Sequence, residues 1–379
     1  MNIFTVTMAP INPPYDDGIK NIVLNVARRV RKHHFFMVSS AYGESFPREG
    51  NITYIRSMFQ RTGRQRMSLL QKLYVFSNIV LSPRKIDAIQ FFVTPQPYFS
   101  GTFRKVLAAN GKRSIQVLSS VHTMREKNKE DEIPGLFFAD RVVVYSEYAQ
   151  KTLEGYGVKN TVRIYPGIDV ERFSGVGTEK SFPRGTFSED GVNILYAGDY
   201  KVLRKSFSFE GLCVTAKRVI ERFPRARFIM ACRLRSGEDE ALKKEFIGMT
   251  RGLGITDNFS FLDTVEDMPS LFRKCDLGVM PAVKPMAGVL EIPMVILEMA
   301  LSGRPVLYGD VPPLDELSDK ALGVMVRGGG PEDYAEKIVE LLEDKKKAAS
   351  VGASSRDAVM KFFNMDVVAA EYERLYDGL

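Results

Sequence analysis

Residues 192–198 read VNILYAG, a β-branched, apolar run that stops at a glycine, and runs of the same kind return behind it: ARFIMAC (226–232), FSFL (259–262), LGVMPA (277–282), PVLYGD (305–310) and GVMV (323–326). Helical or loop segments separate them, which is the pattern of a parallel sheet covered on both faces. Toward the N-terminus an equivalent series precedes it: IFTVTM (3–8), HFFMVSS (34–40), ITYI (52–55), AIQFFV (88–93), IQVLSS (115–120), RVVVYS (141–146) and VRIYP (162–166). The repetition predicts two α/β domains of similar design. Between the two series, SGVGTEKSFPRGTFSEDG (174–191) is rich in Gly, Ser, Thr and Pro without periodicity and reads as an interdomain linker. The expected domains are 1–175 and 176–360, with a C-terminal helix at about 360–379 crossing back to the first. Two helical patterns stand out: IKNIVLNVARRVRKH after the first strand, and PEDYAEKIVELLEDKKKAA (331–349), with acids early and lysines late as the helix dipole favours.

A chain of 379 residues suits two domains, and 45% apolar with 26% charged residues suits a soluble globular protein. It has no run of eighteen apolar residues, and MNIFTVTMAP lacks the basic and apolar regions of a signal peptide, so a cytoplasmic location is expected. The three cysteines form no CxxC, and two of the three histidines are the adjacent His33 and His34, so neither a disulfide framework nor a metal site is indicated. The net charge of +7 is uneven: Lys and Arg outnumber Asp and Glu by 26 to 15 in residues 1–180, against 27 to 31 in the remainder. Basic character belongs to the first half.

In open α/β sheets ligands bind beyond the carboxyl ends of the strands. One segment following such an end is LEIPMVILEMALSGRP (290–305), where two glutamates interrupt an apolar stretch. Pro293 suits the first position of a helix, which leaves Ile292 as a cap residue with no oxygen for the N–H groups of Met294 and Val295. Free donors and the helix dipole together favour an anion such as phosphate. Glu298 then lies inside the helix, where an unpaired buried carboxylate would cost several kcal/mol. It could accept both hydroxyls of a ribose, and Glu291 could accept from sugar hydroxyls. The plainer alternative is an ion-paired Glu298 and a solvated Glu291.

The chain resembles the GT-B glycosyltransferases of the large, retaining family-4-like group. The residues that carry the resemblance are LEIPMVILEMALSGRPV with PPLDEL (312–317), ALGVMV (321–326), PEDYAEKIVELLED, YPGIDVERF (165–173) and ADRVVVYSEYAQKTL (139–153). It implies two Rossmann-like doubly wound domains facing across a cleft, with the nucleotide sugar held mainly by the second. Six residues separate Glu291 from Glu298 where the family has seven, and IPM replaces the family's GFG. The resemblance assigns the ribose to Glu298 and the donor sugar to Glu291, while the phosphate contacts at Met294 and Val295 rest on the uncapped helix start, and loss of the family's glycines implies fewer of them from this loop.

It further implies that Arg204 and Lys205, in DYKVLRKS (199–206), hold the diphosphate, where cations stabilise the charge that develops on the leaving group. Arg233, directly after ARFIMAC, is a third phosphate or nucleotide contact, or else a rim arginine paired with Glu238 or Asp239. Base contacts fall around FLDTV (261–265), including Val265. His122 in SSVHTM lies near the donor sugar or else is a satisfied structural histidine, and Gly18 in PPYDDGIKNI allows backbone approach to the diphosphate and acceptor. Asp16 or Asp17 orients an acceptor hydroxyl or caps a helix. In RSMFQRTGRQRMSLLQKLYVF (56–76), Arg61, Arg64 and Arg66 among apolar residues suit a lipid-linked acceptor or an anionic membrane surface, the alternative being an ordinary solvated helix face.

The implied activity is transfer of a sugar from a UDP- or GDP-linked donor to a hydroxyl of a glycan, glycolipid or lipid-linked acceptor, without metal or other cofactor, by front-face attack with the leaving phosphate as base. A sugar-nucleotide 2-epimerase of the same fold would need further acid/base carboxylates, and a regulatory sugar-nucleotide-binding pseudo-enzyme would not turn over. A nucleic-acid-binding protein would account for a pI of about 9.1, yet no binding motif is recognisable and Glu298 would stay unexplained.

Overall fold

The apolar runs become strands because both faces of each sheet are covered, so hydrophobic residues need not alternate with polar ones. The computed structural model describes residues 1–7, 11, 18–39, 50–56, 74, 77, 85–174, 182–286 and 290–379. Two units divide the chain: Met1–Gly167 with Ala287–Glu291 and Met365–Leu379, and Ile168–Met286 with Ile292–Asn364.

In the first unit, β1 (Asn2–Thr7), β2 (His34–Ser39), β3 (Ile52–Arg56), β4 (Ala88–Phe92), β5 (Arg113–Leu118), β6 (Arg141–Val144) and β7 (Thr161–Arg163) form one sheet in the order β3-β2-β1-β4-β5-β6-β7. All pairs are parallel. Phe4, Val6, Ile89 and Phe91 pack with Phe103 and Leu107 of the helix Pro97–Asn110. Alternation puts Thr5 and its register partner Gln90 on the other face. There the Tyr376 hydroxyl of the helix Met365–Asp377 donates to Gln90 Oε1 at 2.9 Å. Arg29 of the helix Gly18–Arg29 bonds Asp366 at 2.6 Å, so the C-terminal helix is part of this unit.

The second unit holds β8 (Asn193–Gly198), β9 (Arg227–Cys232), β10 (Phe259–Leu262), β11 (Leu277–Met280), β12 (Val306–Gly309) and β13 (Val324–Val326), ordered β10-β9-β8-β11-β12-β13 and wholly parallel. Strand order reverses between β8 and β11 here, and between β1 and β4 in the first unit. These switch points open the crevices in which doubly wound sheets take ligands.

The leading stretch of the first unit runs to Gly167, and the segment 174–191 falls in the stretch Ile168–Met286 of the second unit. In the described part of that segment Thr186 is buried and the Phe182 and Phe187 rings meet edge to face, while Pro183, Arg184, Gly185, Glu189 and Asp190 are exposed. The helical pattern over 331–349 is two helices, Pro331–Glu343 and Lys345–Phe362. Asp344 lies between them with ψ 83°, and its carboxylate accepts from Lys347 N at 2.9 Å. The lysines therefore open a helix that Asp344 caps, and the cap outweighs their unfavourable placement in its first turn. Among the described residues no helix is long and apolar enough to cross a membrane.

Candidate functional site

Behind β11, at the switch point of the second sheet, the helix Met294–Leu301 begins without a capping side chain. Pro293 occupies the cap position instead of the first helical one: its φ of −60° suits a helix, but its ψ of 123° is extended. The leading N–H groups are still those of Met294 and Val295, both half-buried. Glu298, in the second turn, is also half-buried. Among the described residues its carboxylate has no hydrogen-bond or ion-pair partner. Burial raises its pKa, and the opposing influence is the Arg172 guanidinium of the short helix Glu171–Ser174. Among the described residues, then, no cation supplies the ion pair that the plainer reading of Glu298 requires.

Glu291, expected as a loop carboxylate facing a sugar, is 1% exposed and lies within the first unit. Its Oε1 accepts from Val121 N at 2.7 Å, its Oε2 from Ser146 Oγ at 2.6 Å, and its own N–H donates to Ser119 O at 2.9 Å. His122 is half-buried in the helix Val121–Lys127, and its ring stacks on Tyr148 with centroids 5.1 Å apart and planes at 21°.

Arg204 and Lys205 lie in the last turn of a helix, Tyr200–Ser206, and both are exposed. Arg204 pairs with Glu245 at 3.2 Å. Arg233 follows β9 directly and is half-buried; Lys201 bonds Glu238 at 3.0 Å, and the Asp239 carboxylate accepts from Ser236 Oγ and Arg235 N. Val265 is half-buried in the loop after β10, and Gly18 opens the helix Gly18–Arg29. Asp16, Asp17, Arg61, Arg64 and Arg66 lie outside the described residues.

Sequence reading missed two features of this unit, one at a strand end and one between two helices. Lys243 bonds Asp263, the residue just after β10, at 2.5 Å across a gap of 20 residues in the chain. Ser208 has φ 90° and ψ 154°, a region that favours glycine, while its Oγ accepts from Gly211 N at 3.0 Å to cap the helix Phe209–Arg222. Nothing in the sequence announces the strained backbone. Ser208→Gly should stabilise the fold by about 0.5–1 kcal/mol, because relief of strain exceeds the few tenths lost on replacing a serine cap by glycine. Ser208→Ala keeps the strain and loses the cap, so it should cost about 1 kcal/mol. Urea denaturation of the three proteins checks the order.

The chemistry offered is acceptance and release of hydrogen bonds at an anionic ligand. Cys213, Cys232 and Cys275 are buried, and burial pushes their thiols up, Cys213 to about 12, so none is a ready nucleophile. No group of three or more His, Cys, Asp or Glu side chains among the described residues could hold a metal ion.

Two doubly wound parallel sheets with candidate groups at the strand carboxyl ends define the GT-B class of glycosyltransferase folds. Residues 17–172 match the family model Glycosyltransferase Family 4, and residues 191–344 match Glycosyl transferases group 1. The chain belongs to these glycosyltransferases. A D-inositol 3-phosphate glycosyltransferase of Geodermatophilus obscurus is 28% identical over 224 residues, 57% of this chain and 48% of the relative. A GDP-mannose-dependent monoacylated alpha-(1-6)-phosphatidylinositol monomannoside mannosyltransferase of Corynebacterium glutamicum is 26% identical over 307 residues, 76% of each chain. The chain spans about half the length of the first D-inositol 3-phosphate glycosyltransferases it matches. Among solved structures, Anabaena Alr3699/HepE in complex with UDP superposes over 100% of both chains with TM-score 0.73 at 15% identity, a likeness of fold.

Proposed function

We propose that the protein is a retaining glycosyltransferase that takes a sugar from a UDP- or GDP-linked donor and places it on a hydroxyl of a glycan, an inositol phosphate or a lipid-linked acceptor. The observation that carries this reading is Glu298. It is a half-buried carboxylate with no protein partner among the described residues, one turn behind uncapped helix donors at a switch point. Such a group is costly unless a ligand supplies donors, and a ribose diol supplies two. Phosphate oxygens would meet the Met294 and Val295 N–H groups and the cations of the neighbouring strand ends, Arg233 nearest in sequence to a strand. Arg204 and Lys205 would reach the diphosphate only from an exposed helical turn, and Arg204 would have to leave Glu245, a surface pair worth about 0.2–1 kcal/mol. The relatives that act on inositol 3-phosphate or phosphatidylinositol mannosides support an acceptor of that chemical kind. The anionic-membrane role of Arg61, Arg64 and Arg66 is part of the same proposal.

A thermal-shift panel of UDP, GDP, ADP and dTDP tests the donor site. One diphosphate at a hundred times its Kd should stabilise the protein by about 2.7 kcal/mol. Retention is then read from the anomeric proton coupling of the product formed from the matching sugar nucleotide. No shift with any diphosphate at millimolar concentration, or an inverted anomer, would overturn the corresponding part of the proposal.

A further inference from the structure

The Glu291 carboxylate lies at the starts of two helices at once. Val121, whose N–H it receives at 2.7 Å, is the first residue of Val121–Lys127; Ser146, whose hydroxyl it receives at 2.6 Å, caps Glu147–Gly155 and itself accepts from Ala149 N at 2.9 Å. The other helix carries its own cap, Ser120 Oγ accepting from Thr123 N at 3.2 Å, and Glu291 takes a leading donor that Ser120 leaves over, the Val121 N–H. A carboxylate there faces the positive ends of two helix dipoles, and both of its bonds are charge-assisted. At 1% exposure it is held inside the protein.

What Glu291 joins is functional in outline. His122 comes directly after Val121, and Tyr148 comes two residues after Ser146; their rings are stacked at 5.1 Å and 21°. The distance between the two helix starts therefore fixes the distance between the two rings. We infer that Glu291 and Tyr148 are positioning residues for His122, Glu291 by tying the two helix starts together and Tyr148 by setting the plane of the imidazole. The inference rests on the glycosyl-transfer reading for its functional half. It gives Glu291 a different task from the sugar contact that its place in the sequence suggests.

The chain has three histidines, so imidazole NMR signals are few, and His122→Asn identifies the one of interest. The ring protons of His122 should carry a ring-current shift from Tyr148 that survives Tyr148→Phe and disappears in Tyr148→Leu. Glu291→Ala should erase the shift and move the His122 titration midpoint, while Glu291→Gln, which still offers Val121 an acceptor, should restore most of both. Hydrolysis of UDP-glucose and GDP-mannose serves as the activity probe. Turnover of the accepted donor should fall about 10- to 100-fold in Glu291→Ala and Tyr148→Leu, as a small misplacement does, with the donor KM unchanged. A raised KM with unaltered His122 signals, equally in Glu291→Gln and Glu291→Ala, would mean that Glu291 contacts the sugar and would overturn the inference. If the signals respond as expected but the wild type turns over neither donor, the positioning stands and the glycosyl-transfer reading fails.

Discussion

Glu298→Gln is expected to raise the melting temperature of the ligand-free protein at pH 7 by about 2–4 °C, which corresponds to ~1 kcal/mol for a unit of this size, and to abolish most of the nucleotide-induced stabilisation. The carboxylate is half-buried, and burial raises its pKa while Arg172 only partly opposes that. A raised carboxyl pKa means that the folded state holds the proton more tightly than the unfolded chain. The contribution of protonated Glu298 is thus fully present below the unfolded value of about 4.3, and is lost as pH rises through the higher folded pKa. At pH 7 the wild type carries the desolvated charge and glutamine does not, so the gain belongs to neutral pH and vanishes near pH 4. Binding runs the other way. A ribose presents two hydroxyl donors, and a glutamine amide can accept only through its oxygen while its NH2 donates, so affinity should fall about tenfold or more. Thermal scans at pH 4 and pH 7, with and without UDP and GDP, separate the two effects. An unchanged apo melting temperature at pH 7 would mean the charge is compensated in solution, and a full nucleotide shift in the variant would take the ribose away from Glu298.

The helix of Glu298 could be read from sequence because everything that defines it is local. A proline before an apolar run marks its start to within one residue, and a carboxylate among Leu297 and Met299 stands out against any packing need. The strands were equally legible, since burial on both faces writes itself as short unbroken apolar runs. Glu291 was not, because its partners Val121 and Ser146 are 170 and 145 residues away, and no periodicity reports a carboxylate that caps distant helices. Asp344 was misread for a related reason: a run of acids followed by lysines looks like one dipole-matched helix, whereas the break depends on a single cap. Ser208 is the limiting case, a serine forced into a glycine's backbone region by its surroundings.

The glycine that closes the site's helix against its neighbour should be among the most sensitive small residues in the second unit. Gly352, in Lys345–Phe362, has no room for a side chain: a Cβ there would stand 2.1 Å from Gly303 O and 2.8 Å from Gly303 C. Both are backbone atoms, and the turn they belong to cannot easily yield. Gly303 has φ +73° and donates to Ala300 O at 2.9 Å to end the helix Met294–Leu301, while Arg304 holds Arg273 O at 2.7 Å just beyond. Gly352→Ala must therefore push the two helices apart, and overpacking of this kind costs about 1–3 kcal/mol. Gly248 provides the opposite case with the same chemical change. It is exposed in the middle of Gly237–Gly252 with nothing within 4 Å of a new Cβ, so Gly248→Ala should gain about 1 kcal/mol from helix propensity alone. The functional consequence follows from the chain: Glu298 is five residues before Gly303, and a shift of the helix's closing turn moves the carboxylate with it. Gly352→Ala should thus weaken the binding of the diphosphate that stabilises the wild type, even at a temperature where the variant is fully folded, and Gly248→Ala should leave it unchanged. Equal stability of Gly352→Ala and the wild type in urea would mean that the contact with Gly303 is looser in solution, and with it the support of Glu298.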